Sequence, residues 1–268
     1  MYSVPDSAPQ EDKAICELMN RGFDPQKLFR AAYTFYGFSL EQKMSAGLPV
    51  VVRSGLFEGM TLYPKSLASQ LLPKCQGTYE KEVQDFLHEY CSDSDVFIDI
   101  GCAEGFYLSG VARWAKIPCM GIDIDPRSAE AVRFVAEANG VAELVSFSPD
   151  MNNLMPFLRG SIACLVDVDG SEIPVLKSLL SLMSVSSTLS TVNLLVETDN
   201  QGSGVQNTPE LVKLLCQQGF SVQSILKQNP ANRFVGVQSE MSFMEQVVRG
   251  AEGRPGGQAW IFATRRFS

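Results

Sequence analysis

The chain has 268 residues, a formal net charge of −8 and a pI near 4.8, and 45% of its residues are hydrophobic. This composition fits one large globular domain, or one domain with an appendage, and the acidic balance argues against a nucleic-acid partner. No apolar run approaches the roughly 18 residues of a membrane span, and the N-terminus lacks a signal-peptide pattern. We therefore expect a cytoplasmic protein that binds neither nucleic acid nor a membrane.

Residues 1–77 predict a helical and β-hairpin segment that precedes the main domain. Residues 10–47 have the turn residues and apolar spacing of two or three helices. The aromatic cluster at 29–38 fits either a helix packing face or a lid over an apolar acceptor. The alternating run 48–63 predicts a hairpin that turns at Ser54-Gly55. We interpret this segment as a lid.

Residues 78–268 predict a doubly wound, Rossmann-like α/β domain with a seven-stranded sheet. A helix over 78–91 comes first and carries His88, the only histidine of the chain, which we expect on the surface. Six strands run parallel and the last returns antiparallel, after an insertion at 229–257 that is typical of functional or mobile loops. The predicted strands are 96–100, 118–123, 144–148, 161–168, 192–197, 220–227 and 258–265, and the helices between them are 104–115, 126–139, 151–159, 171–183 and 208–218.

The first strand of this domain ends in a glycine turn that is typical of a nucleotide site. Asp99 stands at the strand end, Gly101 and Gly105 follow, and a helix begins behind them. Strand, glycine turn and helix together present a helix N-terminus to a ligand. Asp123 ends the second strand, roughly 20 residues further on, where an acid reaches ribose hydroxyls.

The glycine spacing favours S-adenosylmethionine over a dinucleotide. A dinucleotide fingerprint requires G-x-G-x-x-G, but Ala103 and Phe106 occupy the second and third glycine positions. Asp99 would repel a pyrophosphate, whereas it suits a cationic amino group. After the third strand, Asp150 and Met151 are placed to meet the adenine amine and ring face; Asp150 fits a helix N-cap equally well.

Further acids at the strand ends are candidates for catalysis. Asp167 and Asp169 follow the fourth strand, and Glu197 ends the fifth. Such a group can accept the proton of a hydroxyl acceptor, because clustered carboxylates raise one another's pKa. It can also hold a divalent metal that lowers the pKa of the hydroxyl. A third alternative is that Asp169 and Glu172 cap the next helix.

The fourth-strand motif resembles a known family. Val-Asp167-Val-Asp169-Gly-Ser-Glu-Ile-Pro-Val-Leu is similar to the Asp-Val-Glu-Gly-x-Glu-x-x-Val-Leu signature of FkbM-family methyltransferases. Gly-Thr-Tyr-Glu80 resembles the Tyr-Glu segment that this family carries before its first strand, and Leu-Leu-Val-Glu197 resembles its fifth-strand glutamate. The similarity covers residues 77–200. Members usually have Ala-Asn after the first glycine and Glu at the positions of Asp123 and Asp169.

The resemblance implies O-methylation of a small-molecule or sugar hydroxyl, often in secondary metabolism. The alternative is methylation of a peptide or protein side chain, and a homo-oligomer stays open. The predicted catalytic residues are Asp167, Asp169 and Glu197, and the predicted cofactor-binding residues are Glu80, Asp99, Gly101, Cys102, Ala103, Gly105, Phe106, Tyr107, Asp123, Ile124, Asp125, Asp150, Met151 and Asp167.

Overall fold

The computed structural model describes residues 6–7, 10–22, 49–67, 71–198, 200–201, 205–227 and 258–267. The predicted aromatic cluster at 29–38 and the insertion at 229–257 lie outside these residues, so both stay predictions. The division at residue 77 and the lid also stay predictions. No described helix combines the length and the apolar character that crossing a membrane requires.

The described chain folds around one seven-stranded sheet with the order β3-β2-β1-β4-β5-β7-β6, which confirms the predicted fold class. Strand β7 pairs antiparallel with both β5 and β6, and the pairings among β1 to β5 are parallel. The strands are β1 Val96–Ile100, β2 Cys119–Ile122, β3 Val145–Ser148, β4 Gly160–Val166, β5 Leu189–Thr198, β6 Ser221–Lys227 and β7 Ala259–Arg266. Asn200–Gln201 and Val205–Gln206 form a separate two-stranded ribbon.

Seven α-helices are described, and a 3₁₀ helix at Met151–Phe157 stands where an α-helix over 151–159 was expected. Pro156 lies inside that segment and is incompatible with a regular α-helix interior. The α-helices are α1 Gln10–Asn20, α2 Leu71–Gln76, α3 Lys81–Tyr90, α4 Phe106–Ala115, α5 Ser128–Ala138, α6 Glu172–Val185 and α7 Thr208–Gln217.

The strands read as continuous apolar runs because the sheet is covered on both faces. All five residues of β1 are buried. Successive residues alternate between two hydrophobic clusters: Phe97 belongs to the cluster that includes helices α3 and α4, whereas Ile98 belongs to the cluster that includes α6 and α7. The carboxyl ends of the parallel strands are therefore the open edge of the sheet.

The segment at 50–62 packs into the same cluster as Phe97. The predicted hairpin is present only as one antiparallel bridge, Val51 to Thr61, with turns and bends over 54–59 in place of a two-residue turn. Phe57 explains the wider loop, because its ring is 2% exposed and lies against helix α4. A tight turn at 54–55 would not deliver that ring to the core.

Two glutamates that the sequence placed inside helices stand just before them. Helix α3 begins at Lys81 rather than at residue 78, and Glu80 adopts a left-handed backbone with φ 44°. Helix α4 begins at Phe106 rather than at residue 104, behind Gly105 with φ 78°. Both Glu80 and Glu104 are buried. Their side chains therefore point into the protein at the open edge of the sheet.

Candidate active site

A cavity of about 570 Å³ opens at the carboxyl ends of β1, β2 and β4. This is within the size range of small-molecule sites, and the position is where ligands bind in open α/β sheets. Five acids line it: Asp99, Asp123, Asp125, Asp167 and Asp169. Lys74 is the one cation on its wall within the described part of the chain. The cavity is therefore strongly acidic.

The turn between β1 and α4 passes directly beneath the end of β4. At Gly101, with φ 89°, an added Cβ would lie 1.6 Å from the backbone oxygen of Asp167. Only glycine tolerates both this conformation and this approach. Its neighbour Ala103 is also left-handed, with φ 46°. The turn is thus a close backbone contact between two strand ends.

The amides of this turn donate hydrogen bonds within the protein. Gly101 N and Cys102 N donate to Ile122 O at 2.8 and 3.3 Å, and Gly105 N donates to Cys102 O at 2.7 Å. Ala103 N donates to Asp123 Oδ2 at 2.7 Å. A phosphate-binding loop offers such N–H groups to its ligand. In this turn four of them already have acceptors.

Asp123 connects the first two strand ends. Besides Ala103 N, its other oxygen accepts from Asp125 N at 2.8 Å. An ionised carboxylate has about four acceptor positions, so two remain for ligand hydroxyls. Asp125 is held by Arg127, whose hydrogen bonds lower the pKa of Asp125 to about 2.

Asp99 is the most buried acid of the cavity wall, with 2% exposure. Its Oδ2 has no hydrogen-bond partner within the described residues. Burial raises the pKa of Asp99 well above its usual range, and the negative charges of Asp167 and Asp123 raise it further. A cation or a hydrogen-bond donor in the cavity would stabilise the ionised form of this carboxyl.

The carboxyl groups of Glu80, Asp167 and Glu197 form a second group beside the cavity, which we call the carboxyl triad. Their oxygens lie within 4.8 Å of one another. Glu80 and Glu197 are fully buried, and Tyr107 Oη donates to Glu80 Oε2 at 2.6 Å. The left-handed backbone at Glu80 places its side chain in this group. The spacing suits either a shared proton or a small cation.

The protonation of the triad is uneven. Burial raises the pKa of Asp167 to about 6, although the hydrogen bond with Glu197 opposes the rise. Burial, followed by the charge of Asp167, raises the pKa of Glu197 well above its usual range. The hydrogen bond between the two carboxyls lowers the pKa of Asp167 and raises that of Glu197, so the shared proton favours Glu197 and the negative charge favours Asp167. This is the arrangement of a base that is oriented by a neighbouring acid.

Most of the predicted site residues are brought together at the cavity. Its wall includes eleven of the predicted cofactor-binding residues, Asp99, Gly101, Cys102, Ala103, Phe106, Tyr107, Asp123, Ile124, Asp125, Met151 and Asp167, and also the predicted catalytic residue Asp169. Glu80, Gly105, Asp150 and Glu197 do not form its wall. Asp150 is the N-cap of the 3₁₀ helix and accepts from Asn152 N at 2.9 Å, as the N-cap interpretation predicted; this is compatible with the predicted contact to adenine.

Asp169 and Glu172 differ from the capping interpretation. Ser171 is the N-cap residue of α6, without a side-chain cap. Glu172 accepts from Gly170 N at 2.7 Å and from Asn207 Nδ2 at 2.8 Å, so it ties the loop after β4 to the residue before α7. Glu80 rather than Asp169 completes the triad. His88 is exposed and packs against Trp114 on α4, as expected for a surface histidine.

Several wall residues were not predicted from the sequence. Lys74, Tyr79, Ser128 and Gln258 all line the cavity. Lys74 is the one charged residue of the mostly apolar helix α2 and forms a buried ion pair with Glu104. A single charge in an apolar helix was the signal that could have marked it.

No protein-family model matches the chain. A stretch of 64 residues is 36% identical to the ribosomal protein L11 methyltransferase of Dechloromonas aromatica (strain RCB), covering 24% of this chain and 22% of that protein. Among solved structures, the chain resembles the ribosomal protein L11 methylase of Lactobacillus delbrueckii subsp. bulgaricus (13% identity, TM-score 0.44, 70% of this chain and 79% of that chain). It also resembles precorrin-6y C5,15-methyltransferase of Geobacter metallireducens GS-15 (12%, 0.48, 77% and 94%). The strand order of the sheet identifies the fold as the doubly wound, Rossmann-like α/β fold with an antiparallel last strand.

Proposed function

We propose that the chain is an S-adenosylmethionine-dependent methyltransferase whose cofactor binds in the cavity at the ends of β1, β2 and β4. The observation that carries this proposal is that four amides of the turn at 101–105 already have acceptors within the protein, together with the acidic wall. A pyrophosphate needs free amides and a neutral or basic surface. A nucleoside with a sulfonium and an ammonium group needs acids instead.

Each part of S-adenosylmethionine has a complementary group in the cavity. Asp123 accepts the ribose hydroxyls with its two remaining acceptor positions. Ile124, which is 88% exposed, and Met151 offer apolar surface for the two faces of adenine. Asp99 receives the ammonium group of the amino-acid tail. The sulfonium then lies toward β4 and Asp167.

The reaction that we propose is O-methylation of a small-molecule or sugar hydroxyl. The sulfonium is already activated, so alignment of the acceptor and removal of its proton remain for the protein. Asp167 accepts the proton, because it lines the cavity and its pKa of about 6 suits a base at neutral pH. The resemblance to FkbM-family methyltransferases supports the same class of acceptor.

A metal-assisted mechanism would use the same acidic residues. Glu80, Asp167 and Glu197 each offer one oxygen, and carboxylate oxygens are the ligands that hard divalent cations prefer. Such a cation would lower the pKa of an acceptor hydroxyl. Removal of metal with EDTA distinguishes the two mechanisms. Activity that is lost and then restored by magnesium favours the metal-assisted mechanism, and unchanged activity favours Asp167 as a direct base.

The test of the function is transfer of a labelled methyl group. The protein is incubated with S-adenosylmethionine carrying a radioactive methyl, together with separate metabolite and protein fractions of the source cell. Label in a metabolite, in an alkali-stable ether, supports the proposal. Asp167→Asn should then lower turnover by about 100-fold or more, the usual contribution of a general base. An Asp167→Asn variant with full turnover would refute the role of Asp167.

The second candidate is methylation of a peptide or protein side chain. The 64-residue similarity to a ribosomal protein L11 methyltransferase favours it, and the net charge of −8 suits a basic protein partner. In the same experiment this candidate predicts label in the protein fraction, in a protease-sensitive form. Label in the metabolite fraction alone would exclude it.

A further inference from the structure

We propose that Lys74 recognises the carboxylate of the cofactor's amino-acid tail, so that this tail is bound as a zwitterion between Lys74 and Asp99. The inference rests on the proposed binding of S-adenosylmethionine and assigns one further contact in that site. It starts from Lys74 and Glu104, the buried ion pair beside the turn at 101–105. Neither residue takes part in the chemistry described above.

The position of Lys74 is unusual for a lysine. Its exposure is 4%, as is that of Glu104. A buried ion pair is weak evidence of stabilisation, since removing two charges from water offsets much of their attraction. Here one partner also lines the ligand cavity. A binding role accounts for a charge at this place better than a contribution to stability does.

The Lys74 ammonium is surrounded by one carboxylate and two aromatic rings. Glu104 accepts one of its three N–H groups. The rings of Tyr79 and Phe106 lie on other sides, with their centroids 4.9 and 5.4 Å from Nζ. These contacts fix the ammonium by charge and by cation–π attraction. Two N–H groups of the ammonium remain after the bond to Glu104, and Lys74 lines the cavity.

The same contacts hold Glu104 away from the ligand. Its carboxylate accepts from Ser66 Oγ at 3.2 Å and from Leu67 N at 3.3 Å in addition to Lys74. Burial alone would raise the pKa of Glu104, but the charge and hydrogen bond of Lys74 lower it below its usual range. Glu104 is therefore an ionised, internally bonded anion that positions Lys74.

The charges of the ligand complete the argument. The tail of S-adenosylmethionine carries an ammonium and a carboxylate on one carbon. The five acids on the wall would repel the carboxylate, and Lys74 is the only cation that the described wall offers it. Lys74 acts electrostatically on both Asp99 and Asp167, so it lies on the side of the cavity where the tail must sit. The two ends of the zwitterion thus meet opposite charges.

The test compares two ligands that differ only in this carboxylate. S-adenosylhomocysteine has it, and 5′-(3-aminopropylthio)-5′-deoxyadenosine keeps the ammonium but lacks it. Calorimetric titration of the wild-type protein should give at least tenfold tighter binding of S-adenosylhomocysteine, the size expected for a hydrogen bond to a charged group. In Lys74→Met/Glu104→Gln, which removes both charges, this preference should disappear while the decarboxylated ligand keeps its affinity.

Two further variants make the comparison selective. Lys81→Met/Asp85→Asn removes an exposed ion pair on α3 and should keep the wild-type preference. Glu104→Gln alone keeps the Lys74 charge and a hydrogen-bond acceptor beside it, so the preference for S-adenosylhomocysteine should persist. Loss of the preference in this folded variant would overturn the role of Lys74, which provides a test even if the double variant does not fold. Circular dichroism checks folding in each case.

The outcomes separate this inference from the proposed function. Wild-type protein that binds both ligands equally, or a folded double variant that keeps its preference, would overturn the role of Lys74 and leave the cofactor site intact. Loss of both ligands by the folded double variant would mean that the pair only shapes the cavity, and this also overturns the role. Failure of the wild-type protein to bind either ligand would instead remove the cofactor site itself.

Discussion

Replacement of Asp99 by asparagine tests the cofactor site most directly, because this carboxyl has an oxygen without a partner in the described residues. Asparagine keeps the shape but removes the negative charge that we assign to the ligand ammonium. A hydrogen bond between charged groups contributes about 1.5–3 kcal/mol, so Asp99→Asn should weaken S-adenosylhomocysteine binding by roughly 10- to 150-fold at pH 8.

The effect should depend on pH with a definite sign. Burial, and then the nearby acids, raise the pKa of Asp99 in the ligand-free protein. The ligand ammonium favours the ionised form, so binding releases a proton from Asp99 at any pH where the ligand-free carboxyl is protonated. The wild-type affinity should therefore fall as the pH is lowered. Asp99→Asn has no such proton to release, and its affinity should respond much less to pH.

Isothermal titration calorimetry in buffers with different ionisation enthalpies measures both quantities, since the slope of the observed enthalpy gives the number of protons released. Asp95→Asn is the matched control: Asp95 precedes the same strand at its other end and accepts from Ser161 N at 2.8 Å. This control should bind like the wild-type protein. Unchanged affinity and unchanged proton release in Asp99→Asn would refute the assignment.

Three further predictions concern the strand ends. Gly101→Ala would place its Cβ 1.6 Å from the Asp167 backbone oxygen. It should lower the free energy of unfolding by about 3 kcal/mol or more and abolish S-adenosylhomocysteine binding. The control Gly140→Ala, where the backbone is also left-handed but the space is open, should lose only about 1–2 kcal/mol in urea denaturation. Asp123→Ala should weaken S-adenosylhomocysteine binding by about 1.5–3 kcal/mol in calorimetry, and unchanged affinity would assign the ribose to another residue. Because the folded-state pKa of Asp167 is raised to about 6, the stability that protonated Asp167 contributes below about pH 4 in the ligand-free protein is lost as the pH rises through 6. Asp167→Asn should thus gain up to about 3 kcal/mol over the wild-type protein at pH 8 and little at pH 4. Thermal scans that show no such pH-dependent difference would contradict the raised pKa.

The sheet could be predicted from the sequence because its strands are covered on both faces. The run Val96–Ile100 contains one polar residue, Asp99, which lines the cavity. The observed strand has the predicted bounds. The parallel direction of the first strands then followed from the helices between them, since parallel strands require crossover connections. The acids at strand ends met at one edge for the same reason.

The parts that could not be predicted depend on backbone conformation and on long-range pairs. Nothing in the sequence indicates that Glu80 is left-handed, yet this conformation turns its carboxyl toward Glu197. Helix periodicity assigned Glu104 to α4, whereas its pairing with Lys74 holds it in the turn. Lys74 and Glu104 are far apart in the chain, and only the folded α2 and α4 bring them together. Helix propensity depends only on residues that are close together in the chain, so it predicted neither of these long-range contacts.

The hydrogen bond from Ala103 N to Asp123 means that the glycine motif alone does not determine which ligand this turn can bind. Ala103→Gly would restore the first half of the dinucleotide fingerprint, Gly101-x-Gly, by a single substitution. The amide at that position would still be committed to the carboxylate. In the proposed binding mode, Asp123, one strand away from the glycines, therefore selects the ligand, and a change of the glycine spacing alone would not exchange the cofactor. Conversion would have to begin at Asp123, whose loss releases the amide and removes a negative charge at the same time.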